Sequence, residues 1–298
     1  MEGLIHHGRI KRSCAPSRRR FGERGTNTTQ RQGLSRSPSR SVFLSATTSE
    51  QNSIAWLNEA ARKERTHQLT EQLKVDLLRT ASFFERPIFT TALIAGDVVI
   101  LDAMHKCGLL EHIPVVFMDT LHLFSETTEF LQDCEERYEF QALRYLPLGC
   151  ESKKDWNQKY SSDLYMTDVE AYDQHAKVEP LNRALTELQA DAWINGRRRD
   201  HGFDRAALEV YEEGSVQTKI NCLAHWTFRD CWDYLELNKV PYHPLHDEGY
   251  PSIGDVQSTL PVAREKWFEY AGERSGRWNG ENKTECGIHT FEQIREEE

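Results

Sequence analysis

Short apolar, β-branched runs alternate along this chain with stretches whose apolar residues recur at helical spacing. The runs are Ile88-Phe89-Thr90-Thr91-Ala92-Leu93-Ile94, Pro114-Val115-Val116-Phe117-Met118, residues 143–146 and residues 192–194. Ahead of the first, Ile54, Leu57, Ala61, Leu69, Leu73 and Leu77 predict one or two amphipathic helices. After it, a turn at Ala95-Gly96-Asp97 leads into a helix with Val98, Ile100, Leu101 and Met104, closed by Cys107-Gly108 with glycine as C-cap. Further helices are expected behind Ser125 as N-cap, burying Phe130, Leu131 and Cys134, and from Pro180 through Leu181, Leu185 and Leu188. Thr227-x-x-Asp230 reads as a capping box, with Trp226 and Cys231 placed for a hydrophobic staple, on a helix that ends before Pro241. Strands that are apolar throughout suit a sheet covered on both faces, and strand–helix alternation suits parallel connections. The expectation is an α/β fold, a mostly parallel sheet with helices on both faces.

In such sheets ligands bind beyond the carboxyl ends of the strands. That directs attention to the loops at 95–97, 119–127 and 196–205. The second contains Asp119 and Thr120, which can hydrogen-bond a base or ribose, although taken alone it reads first as a strand end plus an N-cap. The third reads Gly196-Arg197-Arg198-Arg199-Asp200-His201-Gly202-Phe203-Asp204-Arg205. Arginine forks match phosphate and sulfate oxygens in two-point geometry. The alternative is a solvated charge run paired with nearby acids; the position at a strand's carboxyl end favours an anion site.

Charge is unevenly spread. Residues 1–49 hold ten Lys and Arg against two acids, a net of +8, which leaves −18 for the remainder of the −10 total. An acidic body argues against nucleic-acid binding, and no apolar run approaches the length of a membrane helix. Residues 1–49 are Arg-rich, Ser-rich and acid-poor, with Arg18, Arg19 and Arg20 in a row, the profile of an organellar transit peptide. A plastid address is expected ahead of a mitochondrial one; a retained basic tail on a cytoplasmic protein is the alternative.

The seven cysteines, Cys14, Cys107, Cys134, Cys150, Cys222, Cys231 and Cys286, include no C-x-x-C pair. Neither a disulfide framework nor a zinc or iron–sulfur site built from a local cysteine motif is expected. From Pro244 on the chain is glycine-rich and loop-like, carrying Arg274 and Arg277 and then Lys283-Thr284-Glu285-Cys286-Gly287-Ile288-His289. Lys283 and His289 can stabilise a Cys286 thiolate, the reactive form. Cys231, the nearest earlier cysteine, sits on a helix that reads as packed, so a covalent intermediate on Cys286 requires an external thiol. An inert tail cysteine is the other reading of these residues alone.

Four segments together resemble the phosphoadenylyl-sulfate (PAPS) and adenylyl-sulfate (APS) reductase family over roughly residues 85–292. They are Asp119-Thr120-Leu121-His122-Leu123-Phe124, Lys177-Val178-Glu179-Pro180-Leu181-Asn182-Arg183-Ala184, Gly249-Tyr250-Pro251-Ser252-Ile253-Gly254-Asp255, and Lys283 to His289. The look is nearest to cluster-free fungal PAPS reductases. The resemblance implies an adenine-nucleotide α-hydrolase-like (PP-loop type) fold with a mobile C-terminal tail carrying the nucleophile. Together with the basic leader that composition marks at 1–49, the expected parts are a nucleotide-binding α/β reductase domain at 50–245 and a catalytic tail at 246–298. It implies thioredoxin-dependent reduction of PAPS to sulfite in sulfate assimilation, through S-sulfocysteine on Cys286. Lys177, Arg198, Arg274, Arg277 and His289 fall where the family contacts the phosphosulfate; Asp119, Thr120 and Arg197 complete the expected site. Thioredoxin or glutaredoxin is the expected partner, with a homodimer left open.

The chain departs from the family at two places. Positions that carry iron–sulfur cysteine pairs in many APS-reducing relatives hold Tyr172, Asp173, Asp255 and Ser258, so no cluster and no metal is expected. The loop after the first strand lacks the family's Ser and Gly ahead of the helix, and His201-Gly202 replaces Gln-Ser or Gln-Gly. Two alternatives follow in the same fold: a cluster-free APS reductase giving AMP, and a non-catalytic protein that binds a nucleotide or thioredoxin. An ATP-using adenylylating enzyme fits less well, because it needs an intact phosphate loop and no Cys286.

Overall fold

The computed structural model describes residues 48–202, 205–214, 217–277 and 288. Six strands form one sheet in the order β3-β2-β1-β4-β6-β5: β1 (Pro87–Thr91), β2 (Val115–Met118), β3 (Leu143–Tyr145), β4 (Ala192–Ile194), β5 (Tyr211–Glu213) and β6 (Thr218–Ile220). Every pairing is parallel except β5 with β6, an antiparallel edge. The α-helices are α1 (Thr48–Phe83), α2 (Ala95–Lys106), α3 (Ser125–Tyr138), α4 (Lys153–Lys159), α5 (Leu164–Thr167), α6 (Val169–Asp173), α7 (Glu179–Glu187) and α8 (Phe228–Asn238). A π-helical turn, Gln174–Val178, joins α6 to α7.

The period-2 alternation of the strands divides the core between the two faces. Phe89, Val115, Phe117, Ala192 and Ile194 pack in the cluster that includes Leu73 and Leu77 of α1, Val99 of α2, Phe130 of α3 and Trp232 of α8. Their neighbours Ile88, Val116 and Trp193 pack on the other face with Leu181, Ala184 and Leu185 of α7. The mostly parallel sheet, covered on both faces, is therefore as the alternation of runs predicts. α8 carries the expected capping box: Thr227 accepts from the Asp230 backbone, and Asp230 accepts from the Thr227 backbone. Trp226 and Cys231 are both buried, as a staple requires.

Local details differ at two helix starts. β1 ends at Thr91, and the turn is Ala92-Leu93-Ile94, so Ala95, Gly96 and Asp97 form the first turn of α2. Leu93 takes the left-handed conformation at φ 58° with its side chain buried in the core. Two side chains hold this turn: Asp97 Oδ2 accepts from the Ala92 amide at 2.7 Å, and Thr91 Oγ1 accepts from the Leu93 amide at 3.0 Å. Ser125 is the first helical residue of α3, not its N-cap; Phe124 caps the helix with no side-chain bond, and Ser125 Oγ donates to Glu126. The chain places β1, β2 and β3 outward on one side, then returns to β4 on the other side of β1. Beyond the carboxyl ends of β1 and β4 this reversal opens a crevice.

Candidate active site

The cavity at that crevice is walled by loops from three strands, by the π-helical turn and by the segment after α8. The β1–α2 turn contributes Thr91, Ala92, Ile94 and Asp97; the loop after β2 contributes Thr120 and Leu123; the π turn contributes Lys177. From the loop after β4 come Asn195, Gly196, Arg197, His201 and Arg205, and from the C-terminal segment Gly254, Asp255, Arg274 and Arg277. Five cations, Lys177, Arg197, Arg205, Arg274 and Arg277, thus face one cavity against two carboxylates, Asp97 and Asp255. Of the residues singled out in the sequence, Thr120, Lys177, Arg197, Arg274 and Arg277 line this cavity together.

Close approaches shape two walls. At Gly254 a Cβ would fall 2.3–2.8 Å from the Arg277 guanidinium, so the missing side chain lets that guanidinium lie across the loop, where it donates to the Ile253 carbonyl at 3.1 Å. At Gly196 a Cβ would come 2.2 Å from Asp97 Oδ1. Asp97 is therefore wedged between the ends of β1 and β4. Burial is the largest influence on its carboxyl and pushes it up to about 7, against the pull of the Ala92 amide and Arg198.

Two expected ligand contacts do not reach the cavity wall. Asp119 turns aside, accepting from the Leu121 amide at 2.9 Å and from Arg144 at 2.7 Å. Arg198 is fully buried behind the wall. Its guanidinium pairs with Asp200 at 3.0 Å and with Glu273, and it lies over the Phe228 ring. His201 sits 3.1 Å from Glu273, and Arg205 donates to its Nδ1 at 2.7 Å. Burial, then the surrounding arginines, holds this imidazole well below the ordinary histidine range, so it is neutral. Asp200, His201 and Glu273 lie close enough to resemble a cation cage. Arg198, bonded to both acids, already supplies their positive charge. The cluster instead fastens the Gly272–Gly276 turn, which carries Arg274, to the loop after β4.

The wall also takes Arg205 and His201, named in the sequence only as members of the 196–205 loop, Asn195, which no sequence signal marked, and Asp255, marked only as the end of a family-like segment and as a position matching a cluster cysteine. Arg205 belonged to the noted arginine run; which of its members turn inward depends on loop geometry that composition does not encode. Residues 244–277, read as loop, are packed on the body through His246, Ile253 and Trp267, all buried. Cys286, His289 and Lys283 lie outside the described residues. Ile288, two positions after Cys286, lines the cavity and packs beside the α7 face of the sheet.

Residues 86–261 match a family described as "Phosphoadenosine phosphosulfate reductase domain". A phosphoadenosine phosphosulfate reductase of Emericella nidulans is 41% identical over 204 residues, 67% of this chain and 65% of that protein, so the chain spans just under two thirds of that relative's length. Adenosine 5'-phosphosulfate reductase 2 of Bacillus subtilis is 34% identical over 234 residues, 78% of this chain and 95% of that protein. Among solved structures, the PAPS reductase of Candida auris in a phosphate complex superposes with a TM-score of 0.58 at 33% identity, over 66% of this chain and 97% of that one.

Proposed function

This chain belongs to the phosphoadenosine phosphosulfate reductase family, and on that premise we propose that it reduces PAPS to sulfite and adenosine 3′,5′-bisphosphate in sulfate assimilation. The observation that carries the reading is the five-cation cavity at the β1–β4 crevice, set in a chain whose residues beyond 49 carry −18. A phosphosulfate is the kind of ligand that arginine forks and a buried lysine recognise.

In this reading Cys286 is the nucleophile. Its thiolate attacks the sulfonate sulfur, the bond from sulfur to the bridging oxygen breaks, and the bisphosphate leaves with that electron pair. Arg274, Arg277 and Lys177 neutralise the charge that builds on the leaving phosphate. Cys286 becomes S-sulfocysteine. A thiolate of thioredoxin or a similar dithiol then attacks the Cys286 sulfur, and sulfite departs with the S–S bonding pair. The donor's second thiol resolves the mixed disulfide, returning the Cys286 thiolate and an oxidised donor. His289 is proposed to hold the thiolate and the phosphosulfate together. Two observations support Cys286. Ile288 lines the cavity, and two residues of chain span at most about 7 Å. Burial also pushes the thiols of Cys107, Cys134, Cys150, Cys222 and Cys231 up, the wrong direction for a nucleophile.

The reading includes no iron–sulfur cluster. Of the four positions that match cluster cysteines in relatives, Asp173 and Asp255 are paired to Lys177, Ser258 donates to the Asp255 carbonyl, and Tyr172 is packed among rings. A plastid address rests on the Arg- and Ser-rich, acid-poor composition of residues 1–49. One feature favours APS as the substrate instead: Asp97 sets a carboxyl on the cavity wall, which repels an additional phosphate dianion as it ionises through about pH 7. Steady-state sulfite release from PAPS and from APS, with thioredoxin as donor in one buffer, tests the proposal. Higher kcat/KM on PAPS is expected; a clear preference for APS replaces the substrate, and no sulfite from either nucleotide removes the activity.

A further inference from the structure

Three walls of the cavity meet at one buried carboxylate. Asp255 is 1% exposed, and its own main chain is fixed: it bridges to Leu123, and the amide of Val256 donates to the His122 carbonyl at 3.0 Å. One carboxylate oxygen accepts from the Thr120 hydroxyl, and the other lies 2.8 Å from Lys177 Nζ. Lys177 also donates to Asp173, one helical turn earlier, at 2.8 Å. The ammonium of a lysine on the cavity wall is thus held between two buried carboxylates from different segments of chain. Lysine is a compact charge on a flexible four-carbon stem, and fixing it requires partners on more than one side. Charge alone gives no reason for Asp255 to be here, because a carboxylate at an anion-binding cavity repels the ligand.

We propose that Asp255 is a positioning residue: with Asp173 it holds the Lys177 ammonium where an anionic nucleotide meets it. This rests on the reading that the cavity takes such a nucleotide. Once Lys177 is set, the ligand binds a site that needs no reorganisation, and that advantage exceeds the repulsion from the Asp255 charge. Asp255 stays ionised, because Lys177, the Thr120 hydroxyl and Arg277 outweigh the effect of burial and hold its carboxyl below the ordinary range.

The test is calorimetric titration of the full chain with adenosine 3′,5′-bisphosphate, for wild type, Asp255→Asn, Lys177→Met and the double variant. A pure field effect makes Asp255→Asn bind more tightly, since the cavity loses a negative charge. Positioning predicts the reverse, affinity about tenfold weaker, with the loss absent once Lys177 is already Met. Asp173→Asn should act in the same direction with the same dependence on Lys177, and it carries the test if Asp255→Asn does not fold. Equal or tighter binding by the folded Asn variant, or an undiminished loss in the Met background, overturns the inference and leaves the proposed function standing. No binding by wild type overturns the proposed function and the inference with it.

Discussion

Asp97 sits where two neighbouring strand ends almost touch, and its protonation is coupled to folding. Its carboxyl is raised to about 7 in the folded chain from an ordinary value of 3.8. Between those values the folded state binds the extra proton, so the stability associated with this group is full below pH 4 and is lost as pH rises through 7. Asp97→Asn keeps an acceptor for the Ala92 amide and removes the titration. The variant should therefore gain stability relative to wild type between pH 5 and pH 8, on the order of a few kcal/mol, read from urea midpoints at the two pH values. An unchanged difference would mean that Asp97 does not titrate in this range. Gly254→Ala tests the opposite wall. The new methyl meets the mobile end of the Arg277 side chain, so stability should change by less than about 1 kcal/mol while KM for the nucleotide rises several-fold. An unaltered KM would show that the guanidinium position is immaterial. At this scale the sequence was legible for Arg197, a basic residue just beyond a strand end, whereas Lys177 on the π-helical turn and Arg274 and Arg277 in the C-terminal segment were singled out as anion contacts through the family resemblance. It was not legible for Arg198 against Arg205. Both are arginines in one loop, and only the fold turns one inward to Glu273 and the other toward the cavity.

The elements that place these side chains are ordinary in their signals and uneven in their legibility. β1, β2 and β4 announced themselves because a strand buried on both faces is apolar throughout. The edge strand β5 and its neighbour β6 did not: Tyr211-Glu212-Glu213 and Thr218-Lys219-Ile220 are three-residue strands with charged side chains, and nothing in their composition separates them from loop. The π-helical turn was equally silent, although it sets Lys177 between Asp173 and Asp255. The start of α8 was read correctly because the capping box is a fixed-spacing motif with a physical cause. Thr227→Ala removes the acceptor for the Asp230 amide and should cost about 1 kcal/mol, lowering Tm by about 2–4 °C, with KM and kcat unchanged at 25 °C. A changed KM with unchanged Tm would contradict this separation of helix stability from the site.

Across the whole molecule, one topological event organises the chemistry. The return of the chain from β3 to β4 opens the crevice, and the segment after α8 folds back over it with Arg274 and Arg277. Buried charge fastens that segment at two points: Asp255 to Lys177, and Glu273 to Arg198. An acidic chain thereby presents a basic cavity, and Ile288, two positions after Cys286 in the sequence, lines it. In the proposed reaction sulfur passes through a covalent bond to this one cysteine. Peptide mass analysis of the full chain after incubation with PAPS and no reductant reads that bond. One added SO3 group is expected on the peptide containing Cys286, lost on addition of thioredoxin with release of sulfite. The same adduct on Cys231 or any other cysteine, or sulfite released by Cys286→Ser at the wild-type rate, would contradict it.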